Sequence, residues 1–319
     1  MNHPVISSLL PVVMLIALGY IAGKVNWIRA EATKDLSNLV FVVLTPALLF
    51  RAMSSVHIEQ LNFKPVAWYF VAVGILYAAV FATSGRNTRA AVLGLAATFS
   101  NTVMIGIPLI GLAYGQSALV LLFTLISVHA LTLLTVATIV LEVMEARQLR
   151  ATQHTGGTVP RHAWKTVLGA IKNGIIHPVP LPIIVGLLFA QTGLAIPEVV
   201  DRPLLLLGNA FGPLALLLVG ATLAQVRVGS NLRAALGISL LKNLILPTLV
   251  AAVGWLSGAR GLDLTVMVVA ASLPMGANVF LFAQRYQVAQ DEVTASLAVS
   301  TVLGLLSITL VMSLVAWVA

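Results

Sequence analysis

Apolar residues run through this chain in stretches of about 20, the length a helix needs to cross the hydrocarbon core of a bilayer. Short polar or basic segments separate them. The stretches are Val5–Gly23, Leu36–Met53, Pro65–Ala82, Ala90–Ala113, Ser117–Val143, Asn173–Leu194, Pro203–Gln225, Leu232–Ser257, Leu264–Arg285 and Val293–Val318. This pattern predicts an all-α polytopic membrane protein with ten transmembrane helices. The sixth stretch is the least regular, because His177, Pro178, Pro180 and Pro182 crowd its first half. The first is expected to be a retained helix rather than a cleaved signal, since the basic residues Lys24 and Arg29 follow it instead of preceding it.

Two of the ten stretches are interrupted. The fourth contains Phe99-Ser100-Asn101-Thr102-Val103-Met104-Ile105-Gly106-Ile107-Pro108, and the ninth contains Ser272-Leu273-Pro274-Met275-Gly276-Ala277-Asn278. Proline donates no N–H and its ring clashes with the preceding turn, so a helix must break or kink there. A break in hydrocarbon frees backbone groups that only protein or a watered cavity can satisfy. Interrupted helices at matching places in two halves point to a transporter binding site. Each break creates half-helices whose N-terminal ends carry partial positive charge and whose C-terminal ends offer carbonyls. A pair of them crossing near the midplane makes a small polar pocket suited to a carboxylate. Asn101, Thr102 and Asn278 would supply side-chain hydrogen bonds there, with Gly106 and Gly276 allowing close backbone approach. The competing explanation is a pair of ordinary proline kinks, which transmembrane helices tolerate.

Charge supports the same layout. Of 319 residues, 59% are hydrophobic and 9% charged, against about 25% charged in soluble domains. The net charge of +8 comes from residues in short loops, which argues for membrane topology rather than a nucleic-acid partner. Loops after odd-numbered stretches hold 13 Lys and Arg, loops after even-numbered ones hold four, and Lys242 lies inside the eighth stretch. Basic loops stay cytoplasmic, so both termini are expected outside and the linker between stretches five and six inside.

That linker, Glu145 to Lys165, is polar, basic and glycine-containing. It divides the chain into a first five-helix repeat (1–143), a linker (144–172) and a second repeat (173–319). An odd number of helices per half forces the halves to insert with opposite topology. Leu44-Thr45-Pro46-Ala47-Leu48-Leu49-Phe50 recurs in outline as Phe211-Gly212-Pro213-Leu214-Ala215-Leu216-Leu217, 167 residues on. The two breaks repeat at nearly the same offset, so the chain reads as a duplicated fold.

Enzyme signatures are missing: there is no Gly-x-Ser-x-Gly, no phosphate loop and no His-Glu-x-x-His, and the chain has no cysteine. No cofactor or metal is expected. Lys242 reads either as a counter-charge for an anionic substrate or as a structural ammonium bonding freed carbonyls of a broken neighbour. His129 is the one histidine well inside a stretch, and it is either a packed side chain or a proton relay. No Asp or Glu lies deep in any stretch, which weakens a carboxylate relay; sodium could be held by carbonyls and hydroxyls at the breaks. Trp27, Trp68, Tyr69, Trp255 and Trp317 read as anchors at the membrane interface.

At Asn101-Thr102-Val103-Met104-Ile105-Gly106-Ile107-Pro108 the chain resembles the auxin efflux carrier family, which includes plant PIN-formed carriers and bacterial carriers annotated for malate or malonate. Leu241-Lys242-Asn243-Leu244-Ile245-Leu246-Pro247, Leu273-Pro274-Met275-Gly276 and Thr294-Ala295-Ser296-Leu297-Ala298-Val299-Ser300 carry the likeness further. The resemblance implies a ten-helix inverted-repeat carrier, related in fold to the bile acid sodium symporters. Helices 1, 2, 6 and 7 would form a scaffold, and helices 3–5 and 8–10 a transport domain that moves like an elevator. The crossing of broken helices four and nine would hold the substrate, with Asn101, Pro108 and Pro274 at the crossover and Met275 a further candidate for substrate binding. The expectation is therefore a secondary carrier in the bacterial inner membrane for a small mono- or dicarboxylate or an auxin-like acid, dimeric through its scaffold. An anion channel and a non-transporting membrane sensor are the alternatives.

Overall fold

The computed structural model describes residues 4–152, 178–226 and 231–318. Their long elements are α-helices joined by short connections: α1 (Pro4–Lys24), α2 (Ala30–Leu39), α3 (Thr45–Met53), α4 (Phe63–Thr83), α5 (Thr88–Thr98), α6 (Ile107–Thr152), α7 (Pro180–Ala190), α8 (Glu198–Gln225), α9 (Leu232–Leu240), α10 (Leu246–Leu256), α11 (Gly261–Ser272), α12 (Asn278–Tyr286) and α13 (Gln290–Val318). Among them seven runs are long and apolar enough to cross a membrane, and α7 and α11 are shorter apolar helices. The architecture is that of a polytopic membrane protein. The linker beyond Thr152 and the start of the sixth stretch, Asn173 to His177, lie outside the described residues.

Three prolines explain where the long helices are joined from pieces. Pro46, Pro108 and Pro247 each stand two residues past a wide π turn, at Val40–Leu44, Thr102–Gly106 and Leu241–Ile245. In a regular helix the proline ring would strike the carbonyl four residues back, and the wide turn moves that carbonyl aside. At the first of them Thr45 reinforces the turn, its backbone N–H and its hydroxyl both donating to the Val40 carbonyl, the hydroxyl at 2.8 Å. The chain thus keeps α2–α3 and α9–α10 as single membrane-length runs while bending them.

A different device divides α6. The apolar run Thr102–Met144 covers 43 residues, about 65 Å of helix against a core of about 30 Å, so it must turn back. It does so at Gly115, with φ 74° and ψ −163°, a conformation open to glycine and costly for other residues. Leu119 then packs against Gly111. The segment before Gly115 completes the fourth stretch, and the segment after it is the fifth.

Packing follows the small residues. α1 lies along α8, where a Cβ added to Gly19 would fall 1.9 Å from the Leu217 carbonyl and one added to Gly220 equally close to that of Ile16. Only glycine permits that backbone contact, the usual way helices associate closely in lipid. α3 packs on α7 in the same manner, with Gly186 against Phe50. α4 packs on α5 and α10, and α10 on α11. Bidentate ion pairs tie ends together: Arg51 with Asp201 at 2.7 and 3.0 Å, and Arg89 with Glu292 at 2.9 and 2.7 Å.

Trp27 and Trp255 are 77% and 53% exposed, as interface anchors should be. Tyr69 corrects that expectation. It is fully buried, because helical phase puts it on the face shared by Val66, Ala72 and Val73, all of them buried.

Candidate functional site

The two predicted breaks meet. α5 ends at Thr98 and α11 at Ser272, and the short extended segments that follow run antiparallel, pairing Ser100 with Met275. The Asn101 N–H donates to the Pro274 carbonyl at 2.8 Å, and the Gly276 N–H donates to the Phe99 carbonyl at 3.0 Å. Each break therefore satisfies backbone groups freed by the other, which answers the requirement that no polar backbone be left bare in the bilayer. Gly276 is necessary for this approach, since a Cβ there would lie 2.8 Å from the Phe99 ring.

The second halves begin beside the crossing. Asn101 caps one of them, its side-chain oxygen accepting from the Met104 N–H at 3.2 Å. Asn278 opens the other, α12, and is half-buried. Ser300 of α13 steadies the strand between, accepting from the Met275 N–H at 2.9 Å and donating to the Asn243 side-chain oxygen at 2.8 Å. Asn243 returns a bond to the Ser300 carbonyl at 2.8 Å. Pro274 rests against Gly304, where an added Cβ would come 2.5 Å from the proline ring.

The predicted residues divide by position. Asn101, Thr102, Gly276 and Asn278 line a cavity of about 40 Å³ at the crossing, together with Phe41 from the turn after α2, His129 and Ile126 from α6, and Val179 ahead of α7. Gly106 instead faces Leu273, which an added Cβ would approach to 2.9 Å, and Pro108 faces Gly212 of α8. Pro274 and Met275 shape the crossing through their backbones.

Lys242 is fully buried on the wide turn between α9 and α10. Its ammonium donates to the carbonyls of Ala271 and Leu273, both at 2.7 Å. In an unbroken helix Ala271 would accept from Met275, but that N–H is given to Ser300. The lysine replaces the missing donor and sets a positive charge at the negative end of α11. Its ammonium is turned to the broken neighbour, the arrangement of the structural alternative.

His129, also buried, stands with its ring edge against Phe99 at 4.8 Å between centroids. Its Nε2 lies 3.3 Å from the Tyr69 hydroxyl, which lies 3.2 Å from the Ser100 hydroxyl. Tyr69, Ser300, Asn243 and Gly304 were not expected in the site. Apolar neighbours at every second or third position hid Tyr69. Ser300 and Asn243 stood inside quoted motifs with no pairing signal between them, 57 residues apart.

Comparison with known proteins agrees with the geometry. Residues 4–312 match a family described as membrane transport protein. A protein named "Putative malonate transporter" from Rhizobium meliloti (strain 1021) is 28% identical over 310 residues, covering 94% of this chain and 92% of that one. "Uncharacterized transporter YfdV" of Escherichia coli (strain K12) is 24% identical over 310 residues, 94% and 93% of the two chains. "Lysosomal cholesterol signaling protein" of Mus musculus is 25% identical over 221 residues, 66% of this chain and 24% of the mouse protein.

Proposed function

The chain belongs to the membrane transport protein family, as its likeness to the auxin efflux carriers implied, and from that premise we propose that it is a secondary carrier for a small mono- or dicarboxylate. The observation that carries this reading is the exchange of backbone bonds at the crossing, Asn101 to Pro274 and Gly276 to Phe99, beside a cavity where Asn101, Thr102, His129 and Asn278 stand among apolar side chains. Two half-helices start at that cavity, and their N-terminal ends favour an anion. No Asp or Glu is buried among the described residues, so nothing there repels one.

The proposed architecture is ten membrane helices in two inverted five-helix repeats, residues 1–143 and 173–319. Packing supports it: α1 on α8 is matched by α7 on α3, and α4 on α5 by α10 on α11. The scaffold consists of helices 1, 2, 6 and 7, and the remaining helices carry the crossing as one body in an elevator-like movement. Alternating access opens the cavity at the crossing to one side of the membrane at a time. The protein sits in the inner membrane with both termini outside and the linker in the cytoplasm, dimeric through its scaffold.

The test is counterflow in proteoliposomes with labelled malonate, malate and indole-3-acetate. Saturable uptake stimulated by unlabelled acid on the far side is expected for at least one of them. Flux that never saturates indicates a channel. The mouse relative's name gives the sensor reading some support; thermal stabilisation by an acid with no uptake would favour it.

A further inference from the structure

A carboxylate taken out of water needs a counter-charge, and the crossing has two candidates. Among the described residues the only buried side chains that could carry a positive charge are Lys242 and His129. Lys242 does not line the cavity, and its ammonium is bound to the carbonyls of Ala271 and Leu273. His129 does line it, beside Asn101 and Asn278. Resting on the carboxylate reading above, we infer that the carrier binds its carboxylate together with one proton, held on the His129 imidazole in the cavity wall.

The surroundings of the ring suit a proton that comes and goes. From α4 it meets Tyr69 and Phe70, and from the first break Phe99, with Ser100 reached through the Tyr69 hydroxyl. Tyr69 is the one titratable group bonded to it, and Lys242 is the other buried basic side chain among the described residues. In the neutral ring with its hydrogen on Nδ1, the Tyr69 hydroxyl donates to Nε2. When that nitrogen carries a proton, the hydroxyl accepts instead and turns its own hydrogen to Ser100. The hydrogen-bond chain thus reverses toward the crossing when the ring is charged, with no bond lost.

The two ligands then promote each other's binding by the same factor, as linkage requires. The carboxylate stabilises the imidazolium, and the imidazolium offsets the buried carboxylate. When the acid leaves, the buried imidazolium has lost its counter-charge, and the proton departs with it. One proton enters from water on the loading side and returns to water on the other, so the cycle balances as symport.

Calorimetric titration counts the protons. The purified chain is titrated with malonate, malate and indole-3-acetate, each fully ionised, in buffers of differing ionisation enthalpy. One proton per bound acid is expected for the wild type and none for His129→Gln. A wild-type count of zero overturns the inference, and a count of one in the variant overturns the assignment to His129. If the variant binds no acid, nitrogen-15 spectra of histidine-labelled wild type decide. The resonances missing from the variant must move to the imidazolium position when acid is added, and unmoved resonances overturn the inference. In proteoliposomes with the membrane potential clamped, one unit of pH gradient should drive about tenfold accumulation, and equal concentrations on the two sides overturn symport. Binding of none of the acids removes the carboxylate reading itself, a different failure from binding without a proton.

Discussion

Replacing Lys242 with Met tests what holds the second break together. Methionine keeps the length and volume of the side chain while deleting its charge and donors. The wild-type ammonium donates to Ala271 and Leu273, both at 2.7 Å. Charge-assisted bonds of this kind are worth about 1.5–3 kcal/mol each. In the variant the two buried carbonyls lose their donor, at a cost of about 1–3 kcal/mol each. The helix cannot repair the loss at Ala271, because the Met275 N–H is already given to Ser300. Against this stands the relief of no longer burying an ammonium, several kcal/mol for an isolated ion and less for one solvated by two carbonyls.

The carbonyls should win, leaving a net destabilisation of about 2 kcal/mol, a factor of about 30 in the unfolding equilibrium. Titrating SDS into detergent-folded protein at fixed pH measures this through the retained helix signal. A variant as stable as the wild type, or more so, would refute the reasoning, because desolvation would then outweigh the bonds. Equal stability combined with lost transport would go further and assign the charge to the substrate. Transport that declines only in proportion to folded protein supports the structural role.

Asn101→Ala should lose a helix cap worth about 1 kcal/mol and weaken acid binding, whereas Asn278→Ala should weaken binding with little change in stability. Wild-type affinity in both, measured by calorimetry, would remove the crossing from consideration as the site. Gly304→Ala puts a Cβ 2.5 Å from the Pro274 ring and 3.0 Å from the Asn243 amide, overpacking that should cost about 1–3 kcal/mol. Counterflow rate and SDS resistance should fall together, and an unchanged variant would mean that Pro274 is free to shift.

Most of the fold was legible because the bilayer enforces a length and an apolar surface on every crossing helix. The start of α2 was not. Helix begins at Ala30, six residues before the apolar stretch, since Glu31, Lys34 and Asp35 face water and leave no hydropathy signal. α8 likewise begins at Glu198, ahead of the expected Pro203, with Glu198 and Asp201 favourably placed in its first turn. The breaks were legible because proline, glycine and asparagine are anomalous in hydrocarbon. Their partners were not, because a serine or tyrosine in a membrane helix looks the same whether it faces a ring nitrogen, a backbone amide or nothing. Ser300 and Tyr69 needed coordinates to be recognised.

The site differs in kind from a pocket built of charged side chains, and the difference bears on how it can move. Its frame is backbone: two extended segments exchange hydrogen bonds, Ser300 and Lys242 satisfy donors and acceptors that the exchange leaves over, and glycines make room. Such a frame is satisfied internally, so carrying it through a bilayer does not expose polar groups to lipid at any stage. Its supports come from α9–α10 and α13 for the second break and from α4 and α6 for the first. All of these belong to the proposed transport domain, and the bonds just named hold the crossing to it without crossing to α1, α7 or α8. Contact with α8 is instead apolar at this point, Pro108 against Gly212, and slides without breaking a hydrogen bond. That separation of polar ties from apolar contacts is what rigid-body travel of the crossing requires.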